Sequence, residues 1–133
     1  MSSDLYREQI IDLYENPLNF GELEPHDFSY EEDNPLCGDV IRIDVRVDGE
    51  QRILDARWRG EGCAISQASA SLLTEEIKGL TLAEVKAFPK ERLLELIGVP
   101  LSMARVKCAL LSLKVLKAGA YGLPEPDEMR GEE

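Results

Sequence analysis

The sequence predicts an α+β fold, a small antiparallel sheet of about three strands with helices packed on one face, and three observations lead to it. Two-residue alternation of apolar and charged side chains is confined to Val40–Val47 and Leu54–Arg59, in the first half of the chain. Three- and four-residue spacing dominates the second half. Strands that come before most of the helices, rather than alternating with them, favour an antiparallel sheet covered by helices over a parallel α/β sheet. The bulk composition agrees: 133 residues suit one domain, and 44% hydrophobic with 31% charged residues provide a core and a solvated surface.

Each element has its own signal. Tyr6, Ile10, Leu13 and Tyr14 recur at helical steps, so Leu5 to Glu15 reads as a helix that Asn16-Pro17 ends. Gly21 to Asn34 carries six acids and no Lys or Arg, and reads as an acidic loop with one short strand around Phe28 to Tyr30. Ile41, Ile43, Val45 and Val47 alternate with Arg42, Asp44 and Arg46, the pattern of a half-buried strand. Asp48-Gly49 turns it, and Leu54, Ala56 and Trp58 are expected inward on the returning strand, up to Gly60-Glu61-Gly62.

A helix over Ala64 to Lys78 follows, with Gly79 as its left-handed stop. Thr81-Leu-Ala-Glu84 has the form of a capping box for a short helix that Phe88-Pro89 stops. Lys90 to Ile97 turns Leu93, Leu94 and Ile97 inward before Gly98. The longest helix, about Ser102 to Ala118, is apolar around much of its circumference and is expected to be the most buried. These elements make residues 1–122 one domain. Residues 123–133, with two prolines and five acids, read as an acidic flexible tail.

Charge narrows the function. Fifteen basic against 26 acidic residues give a net charge of −11, so the average surface repels phosphate backbones and anionic lipid, and neither nucleic acid nor membrane is expected as a partner. No basic segment followed by an apolar stretch opens the chain, and no apolar run approaches the roughly 20 residues of a membrane span, so a cytoplasmic protein is expected. Three cysteines, an odd number, argue for thiols used as ligands or nucleophiles rather than for a disulfide framework.

A lone Cys is ordinarily a small core hydrophobe, and for Cys108, inside the last helix, that reading would stand alone. Cys37 and Cys63 differ. Cys37 lies in Asn34-Pro-Leu-Cys-Gly-Asp39, where Pro35 keeps the approach extended and Gly38 permits a tight turn that aims Cys37 and Asp39 at one centre. Cys63 directly precedes a helix, whose positive end favours thiolate. Three thiols and the Asp39 carboxylate supply the four ligands of a tetrahedral zinc ion or the anchors of a small iron-sulfur cluster. Arg105, one turn before Cys108, and Lys107 beside it carry charge that can steady sulfur anions, with Arg105 the better placed. His26, the only histidine, sits among acids and reads as surface; Ala64, Ala68, Ala70, Ser66, Ser69 and Ser71 read as a close-packing face.

Asn34-Pro-Leu-Cys-Gly-Asp39, Gly60-Glu-Gly-Cys-Ala-Ile-Ser66 with Ala68-Ser-Ala-Ser71, and Ala104-Arg-Val-Lys-Cys-Ala109 resemble, in this order, the three cysteine motifs of the U-type iron-sulfur assembly proteins: IscU, SufU and the NifU amino-terminal domain. Asn16-Pro-Leu-Asn-Phe-Gly21 is similar to that family's segment after its first helix. The resemblance, from about Tyr6 to Tyr121, implies the family's α+β scaffold fold and the ligand set Cys37, Asp39, Cys63 and Cys108. Lys107 stands where IscU-type members carry a His, and Gly98 to Ala104 lacks the Leu-Pro-Pro-Val-Lys segment offered to an Hsp70-type chaperone, which makes that partner doubtful. Arg105-Val-Lys-Cys108 is SufU-like, although the Cys63 to Cys108 interval lacks the insertion typical of that branch.

What the resemblance implies is a scaffold more than an enzyme. Such a protein accepts persulfide sulfur from a cysteine desulfurase, assembles a [2Fe-2S] cluster and transfers it to recipient apo-proteins. The alternative is a SufU-type zinc-dependent sulfur acceptor, a sulfurtransferase that activates the desulfurase without holding a cluster. A third reading, an inert structural zinc module, fits Asp39 less well, because closed structural sites use Cys and His. The persulfide-accepting thiol is expected to be Cys37, on an exposed loop that can reach a partner, with Cys108 as runner-up.

Overall fold

The computed structural model describes residues 2–34 and 38–122. A helix, α1 (Ser2–Glu15), leads into three strands, β1 (Phe28–Asn34), β2 (Asp39–Val47) and β3 (Ile53–Glu61), and then into four helices, α2 (Ala64–Glu76), α3 (Leu82–Lys86), α4 (Lys90–Ile97) and α5 (Met103–Gly122). The strands form one antiparallel sheet in the order β1-β2-β3. The expected α+β architecture is thus the observed one. The expected tail, 123–133, lies outside the described residues. No helix among the described residues is long and apolar enough to cross a membrane.

The alternation in β2 does what its period requires. Ile41, Ile43 and Val45 are shut away from solvent and face Ala56 and Trp58 of β3, while Arg42, Arg57 and Arg59 keep partly exposed side chains on the opposite face. Each such buried aliphatic side chain contributes about 1.5–3 kcal/mol of transfer free energy. Helices α5 and α2 cover the apolar face, and α5 also lies against β1. Gly119 is where α5 meets that strand; a β-carbon there would fall 2.5 Å from the Phe28 ring. The last helix runs a turn past its expected end at Ala118 because this packing continues along it.

Leu54 departs from its expected inward position. Arg46 pairs with Asp55 and Val47 with Ile53, so Leu54 is the extra residue of a β-bulge. The bulge turns Ile53 inward, 2% exposed, and leaves Leu54 at 56%. The connecting turn is held by Asp48 Oδ1, which accepts from the Glu50 and Arg52 amides at 2.8 and 2.9 Å. Among the helices, Thr81 and Glu84 form the expected capping box, and Gly98 ends α4 in the left-handed conformation. Helix α2 stops at Glu76 with Ile77 as its cap, so the left-handed Gly79 falls in the following turn.

Two segments that read as loops are tied down. Strand β1 extends to Asn34, beyond the short strand expected around Tyr30, because its backbone pairs along β2 while Glu31 and Asp33 point to solvent at the sheet edge. The acidic stretch before it folds onto the sheet and buries Asp44, whose Oδ1 accepts from Ser29 Oγ at 2.6 Å and whose Oδ2 accepts from the Leu23 amide at 3.1 Å. His26, expected at the surface, places Nδ1 2.9 Å from the Leu23 carbonyl in the same turn. The Asn16 to Gly21 segment straps β3 to α2. Trp58 Nε1 donates to the Leu18 carbonyl, the Trp58 amide donates to the Asn19 carbonyl, and the Leu18 amide donates to Ser71 Oγ at 3.1 Å. Asn19 sits at φ 60° and donates from Nδ2 to Thr74 Oγ1. Phe20 closes the strap edge-on against Trp58, ring centres 4.9 Å apart.

Burial pushes the Asp44 carboxyl up, but the Ser29 hydroxyl, the Leu23 amide and Arg42 outweigh it and hold the group below its ordinary value. A depressed folded-state pKa stabilises fully above the unfolded value, near 4, and that contribution is lost as pH falls through the folded value. Asp44→Ala also leaves the buried Leu23 amide and the half-buried Ser29 hydroxyl without their acceptor, so it should lower stability at pH 7 by about 2 kcal/mol. Denaturant titrations should show this deficit narrowing below about pH 4; a deficit that does not depend on pH would contradict the ionised, hydrogen-bonded state of Asp44.

Candidate metal centre

The sheet and two helices bring three of the four expected ligands to one point. Asp39 opens β2 directly after Gly38, whose φ of 73° gives the left-handed turn expected of a glycine there, and the Asp39 side chain is fully buried. Cys63 follows the end of β3 and is the N-cap of α2. Cys108, also fully buried, lies in the second turn of α5. The β2–β3 ladder, with Val40 opposite Glu61, sets Asp39 beside Cys63.

Close packing of α2 on α5 supplies Cys108. The facing residues are small, and Ser69 Oγ donates to the Ala109 carbonyl at 2.5 Å while lying 3.0 Å from Ser112 Oγ. Ala68, Ala70, Ser66, Ser69 and Ser71 are all buried, in line with the close-packing role expected of them.

One carboxylate oxygen of Asp39, Cys63 Sγ and Cys108 Sγ lie within 4.8 Å of one another. Ligand atoms around a tetrahedral zinc ion are about 3.8 Å apart, so side-chain adjustments of about 1 Å would close the set on a metal. Cys63 Sγ is 3.9 Å from Asp39 Oδ2, and the Cys63 amide donates to Asp39 Oδ1 at 2.9 Å. Two soft sulfurs and a buried carboxylate fit a zinc or iron centre by ligand type.

Arg105 is the cation of this site. Its pKa is raised above the ordinary value first by the charge of Cys63 and then by a hydrogen bond to Cys108, with weaker contributions from the converse pairings. The guanidinium therefore faces both sulfurs. Arg105 and Lys107 are both exposed, and of the two it is Arg105 whose electrostatics involve Cys63 and Cys108. Cys37, expected as the fourth ligand and as the persulfide acceptor, lies outside the described residues.

The sequence marked Gly62 only as a strand stop and a motif position, and not as the space beside Asp39. A β-carbon there would fall 2.2 Å from Asp39 Oδ1 and 2.7 Å from Ser66 Oγ, so only glycine leaves room for the carboxylate. The available signal was a glycine directly before a cysteine that caps a helix.

This small α+β domain gathers a carboxylate and two thiols from a strand start, a helix cap and a second helix into a group that could hold a metal ion. The chain belongs to the NifU-like N terminal domain family, whose model matches residues 5–127. It is 38% identical to the zinc-dependent sulfurtransferase SufU of Bacillus subtilis (strain 168), a match covering 86% of this chain and 88% of that one. It is 35% identical to the iron-sulfur cluster assembly scaffold protein IscU of Escherichia coli (strain K12), covering 85% of this chain and 89% of that protein. Among solved structures, a protein of Fervidobacterium islandicum AW-1 assigned to the SUF system as an iron-sulfur cluster assembly scaffold superposes with a TM-score of 0.72 at 29% identity, over 90% of this chain and 99% of that one.

Ligands drawn from separate segments make metal binding a folding interaction. The isolated protein is expected to carry about one divalent ion per chain, and chelation should lower its melting temperature by several degrees. Cys63→Ser or Cys108→Ser should abolish most of that difference. Equal melting temperatures with and without metal in the unsubstituted protein would remove the case for a site that spans these elements.

Proposed function

We propose that this chain is an iron-sulfur cluster assembly scaffold. It takes sulfane sulfur from a cysteine desulfurase, builds a [2Fe-2S] cluster on Cys37, Asp39, Cys63 and Cys108, and passes the cluster to apo-proteins. The observation that carries the reading is the meeting of buried Asp39 and Cys108 with half-buried Cys63 at one point, faced by Arg105, in a chain of this family. In the sulfur step the Cys37 thiolate attacks the outer sulfur of the desulfurase persulfide. The S–S bond breaks, the desulfurase cysteine leaves as thiolate, and the persulfide now resides on Cys37. Arg105 supplies positive charge where sulfur anions gather.

A zinc-dependent sulfur acceptor is the second reading, supported by the SufU-like Arg105-Val-Lys-Cys108 segment and by the SufU relative. Zinc would then occupy the same four residues, supplying a Lewis-acidic centre that holds the thiolates in place. Anaerobic incubation with desulfurase, cysteine, reductant and ferrous iron separates the two. The scaffold reading expects a visible [2Fe-2S] spectrum as zinc is lost, and the acceptor reading expects retained zinc with faster desulfurase turnover.

Two substitution tests follow from the ligand chemistry. Asp39 is the one hard oxygen among soft thiolates, and its bond is the one most readily surrendered to a recipient. Asp39→Ala should still assemble a cluster but transfer it to an apo-ferredoxin about tenfold more slowly; wild-type rates at matched cluster loading would remove the exit-ligand role. Mass spectrometry after a single desulfurase turnover should find the added sulfur on Cys37. Its appearance on Cys108 in the intact protein would move the acceptor role to the buried thiol.

A further inference from the structure

The Asp39 carboxylate makes two different contacts with its two oxygens. Oδ1 accepts from the Cys63 amide at 2.9 Å, and Oδ2 lies 3.9 Å from Cys63 Sγ, on the side where the ligand atoms gather. Cys63 is the N-cap of α2 and its own side chain makes no capping bond. The Ser66 hydroxyl, in the first turn of α2, donates to the Cys63 carbonyl at 3.1 Å and so braces the same corner. A helix start leaves amides that need acceptors, and a carboxylate there also meets the positive end of the helix dipole. Gly62 provides the space: a β-carbon at that position would fall 2.2 Å from Asp39 Oδ1 and 2.7 Å from its Cγ.

We infer that Gly62 and the Cys63 amide are the positioning groups of the site: they fix Asp39 by one oxygen against the start of α2 and leave the other as a one-oxygen ligand. This rests on the reading of Asp39 as a ligand and deepens it. A carboxylate anchored through Oδ1 would offer an ion Oδ2 alone rather than both oxygens. When the Oδ2 bond is given up, the carboxylate retains a charge-assisted hydrogen bond and is not left as an unpaired buried anion. The weak ligand of the set thus has a resting position already built into the fold, and the same amide holds the backbone of Cys63 through loading and release.

The test compares Asp39→Asn, Asp39→Ala and Gly62→Ala in the full chain, metal-free and with zinc. Asparagine keeps a side-chain oxygen for the amide but loses the anionic ligand. In the metal-free protein the Cys63 amide should exchange with solvent about tenfold faster in Asp39→Ala than in wild type, and near the wild-type rate in Asp39→Asn. Zinc affinity should fall in both, by about 10–100-fold. Gly62→Ala deletes no ligand atom, yet it should speed exchange at Cys63 and weaken zinc binding together. Unchanged Cys63 exchange in Asp39→Ala would overturn the inference, and so would wild-type zinc affinity in a folded Gly62→Ala protein. If zinc affinity is unaffected by either Asp39 substitution, the ligand reading fails, while the exchange rates still decide whether Asp39 is anchored at α2. Should Gly62→Ala not fold, the Asn and Ala pair at position 39 decides the question alone.

Discussion

The antiparallel register between β2 and β3 is the constraint on which the site depends. With Val40 opposite Glu61, the first residue of β2 lies beside the last turn of chain before α2, so a carboxylate and a thiol far apart in sequence become neighbours. Gly60 is part of that arrangement, since a β-carbon there would fall 1.9 Å from the Val40 carbonyl. A shift by one residue would exchange the faces of β3, exposing Trp58 and burying Arg57 and Arg59. The apolar face and the candidate metal site therefore depend on the same register: Ile41, Ile43 and Trp58 hold it from the middle of the sheet, and Asp39 uses it at the end.

The helices add a second condition, close approach. Cys108 reaches the site because α5 lies near enough to α2 for Ser69 to bond the Ala109 carbonyl, which only small facing residues allow. The Asn16 to Gly21 strap fixes α2 against β3 through the Trp58 and Asn19 hydrogen bonds, and its edge-on Phe20 ring adds about 1 kcal/mol of aromatic contact. Sheet and helix pair converge on the start of α2, while the strap holds its second half through Ser71 and Thr74. The site thus reports on the packing of the whole domain, and a metal bound there in turn stabilises that packing.

Much of this was legible in the sequence, for reasons that differ by residue. Ile41, Ile43 and Val45 alternate, so β2 was visible; Thr81 with Glu84 and the Gly98 stop marked two helix ends. Leu54 misled because a bulge leaves no mark in an alternating pattern until the pairing partner is known. Asp44 was hidden because a buried carboxylate and a solvated one look alike in sequence, and only the chain folding back over it supplies the Leu23 and Ser29 donors. At the site, Asp39, Cys63, Cys108 and Arg105 were found from glycine-flanked loops, helix position and motif. The part played by Gly62 was not, because it lies in a contact with Asp39 across the sheet end.

The central claim is that one ion or cluster is held by thiolates together with a single carboxylate oxygen. X-ray absorption at the metal edge of the zinc-loaded protein tests it most directly. The account predicts about three sulfur scatterers near 2.3 Å and one oxygen near 2.0 Å, for Cys37, Cys63, Cys108 and Asp39. A shell of oxygen and nitrogen alone, or of four sulfurs, would contradict it.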